Sequence, residues 1–181
     1  MKKRFLLTAG VVMLFAFLVN GQIQVGAGLG LQMPVGDFSD GYNAGVGLHV
    51  AGKYLLNEKM AVGLNLGFTK FGSEYEHLSC SMVPITGLFE YYLGKQGKVT
   101  PYLGADLGLY SMGVKFKYQG TKTSDSELYF GLAPVAGILY ELNDLISLTG
   151  NLKYNVVFAE DESLSYIGIN VGIAYKLNFK K

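Results

Sequence analysis

Cysteine occurs once, at Cys80, so no disulfide can form within the chain and a cysteine-based zinc cluster has no ligands. Histidine occurs twice, as His49 and His77, with no spacing that would gather a metal ion. Tryptophan is absent, and arginine occurs only as Arg4. Charge is scarce: 16% of residues are charged, where an average soluble domain carries about 25%. Past residue 21 no unbroken apolar run approaches the roughly 20 residues that a membrane-spanning helix needs. No P-loop, dinucleotide fingerprint or EF-hand is present. The 25 glycines follow no strict period of three, which excludes a collagen-like chain, and apolar residues at 50% exclude ordinary disorder.

What remains is an N-terminal leader followed by alternation. Lys2, Lys3 and Arg4 precede an almost unbroken apolar run, Phe5 to Val19, and Asn20 and Gly21 lead into Gln22. This is the pattern of a secretory signal peptide, with cleavage expected near Gly21–Gln22; a permanent N-terminal anchor is the alternative. No cysteine sits at the cut, as a lipoprotein would need. Without the leader the chain holds 12 lysines against 14 acidic residues, a formal charge of −2, and no basic patch for nucleic acid survives. Residues 1–21 are thus expected to be the signal peptide and residues 22–181 a single domain.

In that domain apolar residues recur at every second position. Eight segments are expected to be strands: Gln24–Gln32, Asn43–Leu55, Lys59–Lys70, Ser81–Leu93, Thr100–Phe116, Glu127–Glu141, Leu145–Phe158 and Leu164–Phe179. The seventh is the clearest, with Ile146, Leu148, Leu152, Tyr154, Val156 and Phe158 opposing Ser147, Thr149, Asn151, Lys153 and Asn155. In the fifth the apolar phase changes after Leu109 to Met112, Val114 and Phe116, which a β-bulge near Tyr110–Gly113 or a strand end would explain. Pro84 and Pro134 fall inside strands, where a bulge or an early strand start would accommodate the missing donor.

These segments are long for a soluble sandwich, where about 5–6 residues is common, and long enough to cross a bilayer, which takes roughly 9–11. The face opposite the apolar one carries glycine with isolated polar residues, too few charges for a wetted exterior. It suits the axis of a narrow barrel, with the apolar face toward lipid; a soluble barrel is the alternative. The fold class is therefore all-β: an eight-stranded antiparallel up-and-down transmembrane β-barrel, its first and eighth strands paired so that no edge meets lipid. Lumen residues are expected to include His49, Lys53, Asn65, Glu90, Asp106, Asn151, Lys153, Asn170 and Lys176. Short joins at Leu56–Glu58, Gly94–Lys98 and Leu142–Asp144 alternate with longer ones at Met33–Tyr42, Gly72–Cys80, Lys117–Ser126 and Ala159–Ser163. Interfacial aromatic belts are expected from Tyr54, Tyr91, Tyr102, Tyr140 and Phe179 at one end and from Phe68, Phe116, Phe130, Phe158 and Tyr166 at the other.

Three runs carry a family resemblance: VGAGLGLQMPVG at Val25–Gly36, PYLGADLGLY at Pro101–Tyr110 and IGINVGIAYKLNF at Ile167–Phe179. With the strand pattern they resemble the small outer-membrane β-barrels, a group that includes outer membrane protein X and the membrane domain of outer membrane protein A. The nearest flavour is the porin-family, PorT-like group of Bacteroidetes. The resemblance implies insertion by the barrel assembly machinery, contact with outer-membrane lipids and lipopolysaccharide, and loops at the cell surface for an extracellular or envelope protein partner. It also implies a terminal aromatic for assembly; Phe179 is nearly there, but Lys180 and Lys181 follow it.

Chemistry is sparse. His77 and Ser79, with Glu74 or Glu76, could mimic the His, Ser and Glu set of lipid A deacylases, which they resemble only by residue type; an ordinary polar loop is the simpler reading. Asp125 and Glu127 read as a solvated acidic turn rather than a cation site, and His49 as part of a polar network rather than a metal ligand. Cys80 reads as a buried loop anchor rather than a reactive thiol. No catalytic, cofactor-binding or metal residue is assigned. The expected role is a non-enzymatic structural or surface-interaction barrel. The alternatives are a narrow pore for small solutes, shaped by Lys53, Glu90, Asp106 and Lys153, or a secretion-accessory protein.

Overall fold

The computed structural model describes residues 22–73, 78–118, 121–159 and 163–177, with backbone alone for Leu78 and residues 115–118 and 121–125. Residues 1–21, expected as a leader, and Glu74, Glu76, His77 and Phe179 lie outside the described residues. The described residues form eight strands: β1 (Gln22–Val35), β2 (Tyr42–Asn57), β3 (Met60–Ser73), β4 (Leu78–Tyr92), β5 (Val99–Tyr118), β6 (Thr121–Glu141), β7 (Ile146–Phe158) and β8 (Ser163–Leu177). Each pairs antiparallel with its sequence neighbours, and β1 pairs with β8 to close the barrel.

The stagger of that closure can be followed through paired residues. From Val25 the partners run Gly52, Leu64, Gly87, Leu107, Leu132, Val156 and Ser165, and return to β1 at Val35, ten residues further on. Ten residues at about 3.3 Å each, over eight inter-strand steps of about 4.8 Å, tilt the strands by roughly 40°. Such a barrel is wide enough for side chains to fill and no wider.

The apolar rows face outward, as the alternation requires. Leu29, Leu48, Leu64, Ile85, Leu107, Ile138, Leu152 and Val171 are all exposed on the outer surface. Tyr91, Tyr140 and Tyr175 mark its short-turn end, and Phe68, Phe130 and Phe158 its other end; Phe130 and Phe158 stack at 6.4 Å. Two expected belt residues are not there. Tyr102 and Tyr166 are each 2% exposed and point inward, because strand parity, not nearness to a strand end, decides which face a ring joins.

The phase change in β5 has neither expected cause. The β4–β5 and β5–β6 registers run unbroken from Leu109 through Met112, so there is no bulge and no strand end. Met112 faces inward and packs on a buried apolar cluster. The register shifts that do occur lie in β2, between Asn43 and Gly45 and between Leu55 and Asn57.

The prolines are accommodated differently. The β3–β4 ladder pairs Leu66 with Ile85 and Thr69 with Met82 but skips Gly67, Phe68, Val83 and Pro84 between them, with no change of register. The β6–β7 ladder likewise skips Ala133 and Pro134 between the pairs Leu132–Val156 and Val135–Lys153. Each proline thus sits in a local gap rather than at a bulge. At the first gap the proline ring takes the space opposite Gly67, where a Cβ would lie 2.8 Å from Pro84 Cγ. Pro134 faces outward, so Pro134→Ala restores a backbone donor without changing the lumen. The expected result is a gain of about 0.5–1.5 kcal/mol in urea unfolding from lipid vesicles, with slower amide exchange at Tyr154 and Asn155.

Parts of the longer joins are strand. Met33–Val35 belong to β1 and are followed by a 3-10 turn, Gly36–Asp40. Gly72 and Ser73 extend β3, and Leu78–Cys80 begin β4. The β5–β6 ladder continues to the pair Tyr118–Thr121, well past the last described β6–β7 pair, Phe130–Phe158. Within Lys117–Ser126, expected as an irregular loop, Lys117, Tyr118 and Thr121–Ser126 are therefore the upper part of a long hairpin.

Candidate functional site

The lumen is layered rather than uniformly polar. At the short-turn end Tyr92, Tyr102, Val135, Leu139 and Ala61 form a buried cluster against Leu55. At the long-loop end Phe71, Cys80, Met82, Tyr110, Val157 and Tyr166 form a second, joined by Phe38 from the 3-10 turn. Polar side chains lie between them. Sequence reasoning placed the polar groups correctly but missed these apolar ends, whose residue types match those facing lipid.

Two ion pairs anchor the polar layer. Lys53 Nζ lies 2.6 Å from Glu90 Oε1, whose other oxygen accepts a hydrogen bond from the Tyr92 hydroxyl at 2.9 Å. Lys53 also stands 5.5 Å from the Tyr102 ring centroid. Lys153 Nζ lies 2.5 Å from Asp106 Oδ2, which also accepts longer contacts, 3.4 Å, from Asn65 Nδ2 and Thr86 Oγ1. The side chains of both acids are under 10% exposed. Burial of this depth demands such pairing, because an isolated charge in a dry interior is costly.

An amide chain adjoins the ion pairs. Gln32 Nε2 donates to Asn170 Oδ1 at 2.9 Å, and Asn170 Nδ2 donates to Asn151 Oδ1 at 2.9 Å. Nearer the top, the Tyr110 hydroxyl donates to Asn155 Oδ1 at 3.2 Å. His49 fits beside Gly28, where a Cβ would come within 2.5 Å of His49 Cε1; the glycine is required for the imidazole to sit inside. At the short-turn rim Lys176 reaches Glu141 at 3.4 Å, and Lys95 pairs with the same carboxylate.

The space left over is small. Two cavities of about 40 and 50 Å³ flank this layer, and both touch His49, Asn65, Asn151 and Lys153. A buried water needs at least about 10–15 Å³, so each cavity has room for a few waters. Gln24 Oε1, which faces the larger one, has no protein partner and is suited to one of those waters.

The other sequence candidates are not gathered into a site. Ser79 lies within β4, opposite Lys115 on β5, rather than in a loop. The histidine and glutamates suggested to accompany it are outside the described residues. Glu127 accepts a hydrogen bond from Tyr129. Cys80 is fully buried in the upper cluster, in β4 rather than in a loop. Among the described residues no group of three or more His, Cys, Asp or Glu side chains is placed to hold a metal ion.

Comparison with solved structures returns the same barrel. Neisserial surface protein A matches at a TM-score of 0.68 and 16% identity, over 87% of this chain and 100% of that one. Ail, the attachment invasion locus protein of Yersinia pestis, matches at 0.58 and 17%, over 88% and 100%. The N-terminal β-barrel domain of Pseudomonas aeruginosa OprF matches at 0.53 and 14%, over 87% and 100%. At these identities the likeness is one of fold, and it does not single out the PorT-like barrels of Bacteroidetes. No curated protein matches. The family model described as "Outer membrane protein beta-barrel domain" matches residues 5–176. With the closed eight-stranded barrel, its outward apolar rows and its packed lumen, the chain belongs to the outer membrane protein beta-barrel domain family.

Proposed function

We propose that this protein is a non-enzymatic barrel of a Gram-negative-type outer membrane, which stabilises the envelope and presents its long-loop end to partners outside the cell. The observation that carries this reading is the filled lumen: two ion pairs, an amide chain and two apolar clusters, with cavities a few waters in size beside the polar layer. A barrel that conducts little has its outer surface and loops with which to act. The most extended feature there is the β5–β6 hairpin, 20 and 21 residues a side, roughly twice what a tilted strand needs to cross a bilayer.

The leader at residues 1–21 would direct export, and the barrel assembly machinery would insert the chain. Outer-membrane lipids and lipopolysaccharide would surround the apolar belt. An extracellular or envelope protein would meet Met33–Tyr42, Gly72–Cys80 and Lys117–Ser126. Ail of Yersinia pestis, a fold neighbour, is an attachment protein with a structure in complex with the heparin analogue sucrose octasulfate. That supports an attachment role at the corresponding end of this chain.

The competing reading is a narrow pore in which Lys53, Glu90, Asp106 and Lys153 would line the path. Conductance across a planar bilayer separates the two. The purified barrel is expected to give no steps above a protein-free control, and Lys153→Met is expected to leave that baseline unchanged. Steps that change with Lys153→Met would establish the pore instead. Protease added to intact cells is expected to cut within Gly72–Cys80 or Lys117–Ser126 and to spare the short turns at Glu58–Lys59 and Leu142–Leu145. A wholly soluble periplasmic protein would defeat the proposal.

A further inference from the structure

The upper apolar cluster is not explained by membrane insertion, since it faces the axis and touches no lipid. Among the described residues, one buried side chain of this cluster belongs to no strand. Phe38, 3% exposed, descends from the 3-10 turn Gly36–Asp40 and meets Phe71 edge-on, with ring centroids 5.0 Å apart at 80°. Tyr42 lies tilted against it, also at 5.0 Å, and Phe71 in turn meets Tyr166 edge-on at 5.4 Å. The sulfurs of Cys80 and Met82 belong to the same cluster. Aromatic edges and polarizable sulfur make a site suited to a planar aromatic ring.

The turn that carries Phe38 has few side-chain hydrogen bonds among the described residues. The residue before it, Val35, offers no side-chain cap, and the turn's own side-chain bond, Ser39 Oγ to Gly36 O at 2.6 Å, is internal. Gly36, at φ +62°, and Gly41 bracket it, and a Cβ at either would meet nothing within 4 Å. Phe38 is the turn's buried residue, with open space at both glycines.

We infer that the long-loop mouth contains a binding site for a small planar aromatic molecule about the size of a phenyl ring, and that Phe38 is its tethered, displaceable occupant. Such a ligand enters from the outside as the turn swings on Gly36 and Gly41, and it exchanges one ring for another against Phe71, Tyr42 and Tyr166. The lower lumen stays closed, so the site binds without conducting. This goes beyond the surface-interaction role and does not rest on what the loops contact.

The test uses the complete barrel in lipid nanodiscs, with fluorobenzene as probe and empty nanodiscs as the baseline for partition into lipid. By fluorine NMR the wild-type barrel is expected to take up fluorobenzene saturably, one per barrel, and Phe38→Ala to bind it at least tenfold more tightly. Because the chain has no tryptophan, Phe38→Trp supplies a single emission reporter. Its emission is expected to shift to the red and to become more quenchable by acrylamide as fluorobenzene is added. If Phe38→Ala fails to fold, Phe38→Val, which also vacates most of the ring's space, takes its place in the affinity comparison, with tighter binding than the wild type expected. Uptake by Phe38→Ala with none by the wild type would overturn the inference, since it would mark an ordinary engineered cavity. Saturable wild-type uptake that leaves the Phe38→Trp emission unmoved would overturn it too, by placing the ligand elsewhere.

Discussion

Asp106→Asn is expected to destabilise the folded barrel by about 3–5 kcal/mol, because it leaves the Lys153 ammonium in the lumen without its counter-charge. The side chain of Lys153 is only 18% exposed and that of Asp106 only 6%, so water recovers little of the lost interaction. The amide keeps the shape of the carboxylate and can still contact Asn65 and Thr86, so the loss reports charge rather than packing. Lys153→Met should cost nearly as much, since it strands the acid. The double variant should then fall at least 2 kcal/mol short of the sum of the two single losses, the sign of direct coupling between contacting groups. Urea unfolding from lipid vesicles, followed by gel mobility without boiling, measures all three. Lys95→Met at the rim is the control. Lys95 is 57% exposed, and its pairing with Glu141 should be worth no more than about 0.5 kcal/mol. If Asp106→Asn unfolds at the wild-type urea concentration, the lumen is wet enough to solvate a bare lysine, and the packed-lumen reading fails with it.

That pair also marks where the sequence stops being informative. Asp106 and Lys153 were legible as lumen residues because each sits on the polar phase of an alternating strand. Their partnership was not. It depends on register through β5, β6 and β7, where Asp106 pairs with Ala133 and Lys153 with Val135. Lipid enforces an apolar side chain at every second position, so the eight strands and the orientation of the sheet could be read within a few residues. The lumen enforces only a fit. Phe71, Met82, Tyr110 and Val157 are the same kinds of residue that face lipid elsewhere, and nothing local says that these turn inward. The phase change at Met112 was misread for this reason: a change of apolar phase can signal a bulge in the strand or an apolar stretch of lumen, and at Met112 it is the second. The β5–β6 hairpin was hidden differently. Its Lys-, Ser- and Thr-rich upper half has a loop's composition, yet two such segments pair well with each other outside the membrane.

Leu64→Arg is expected to cost about 2–4 kcal/mol, and the size of that cost depends on depth in hydrocarbon. Leu64 is 70% exposed on the outer surface of β3, two residues from Val62, which pairs with Tyr54, and four from Phe68 at the opposite end. It therefore lies between the two aromatic ends, where a guanidinium must either reach a headgroup or thin the bilayer around itself. Leu93→Arg, beside the short turn between β4 and β5, is the depth control. Leu93 is 56% exposed, but an arginine there can reach the headgroups, and the expected cost is no more than about 1 kcal/mol. A soluble barrel would reverse the logic, because an arginine at an exposed position in water costs little at either site. The inward neighbour supplies a third arm: Asn65→Leu puts an apolar side chain where Thr86 and Asp106 have hydrogen-bonding partners, and it should destabilise although it raises hydrophobicity. Spin labels carry the same contrast into direct observation, with Leu148 and Ile169 expected to report acyl chains while Thr149 and Asn170 do not. Equal urea midpoints for Leu64→Arg, Leu93→Arg and wild type would mean that this surface never meets lipid, and the barrel would have to be turned inside out in its chemistry while keeping its fold.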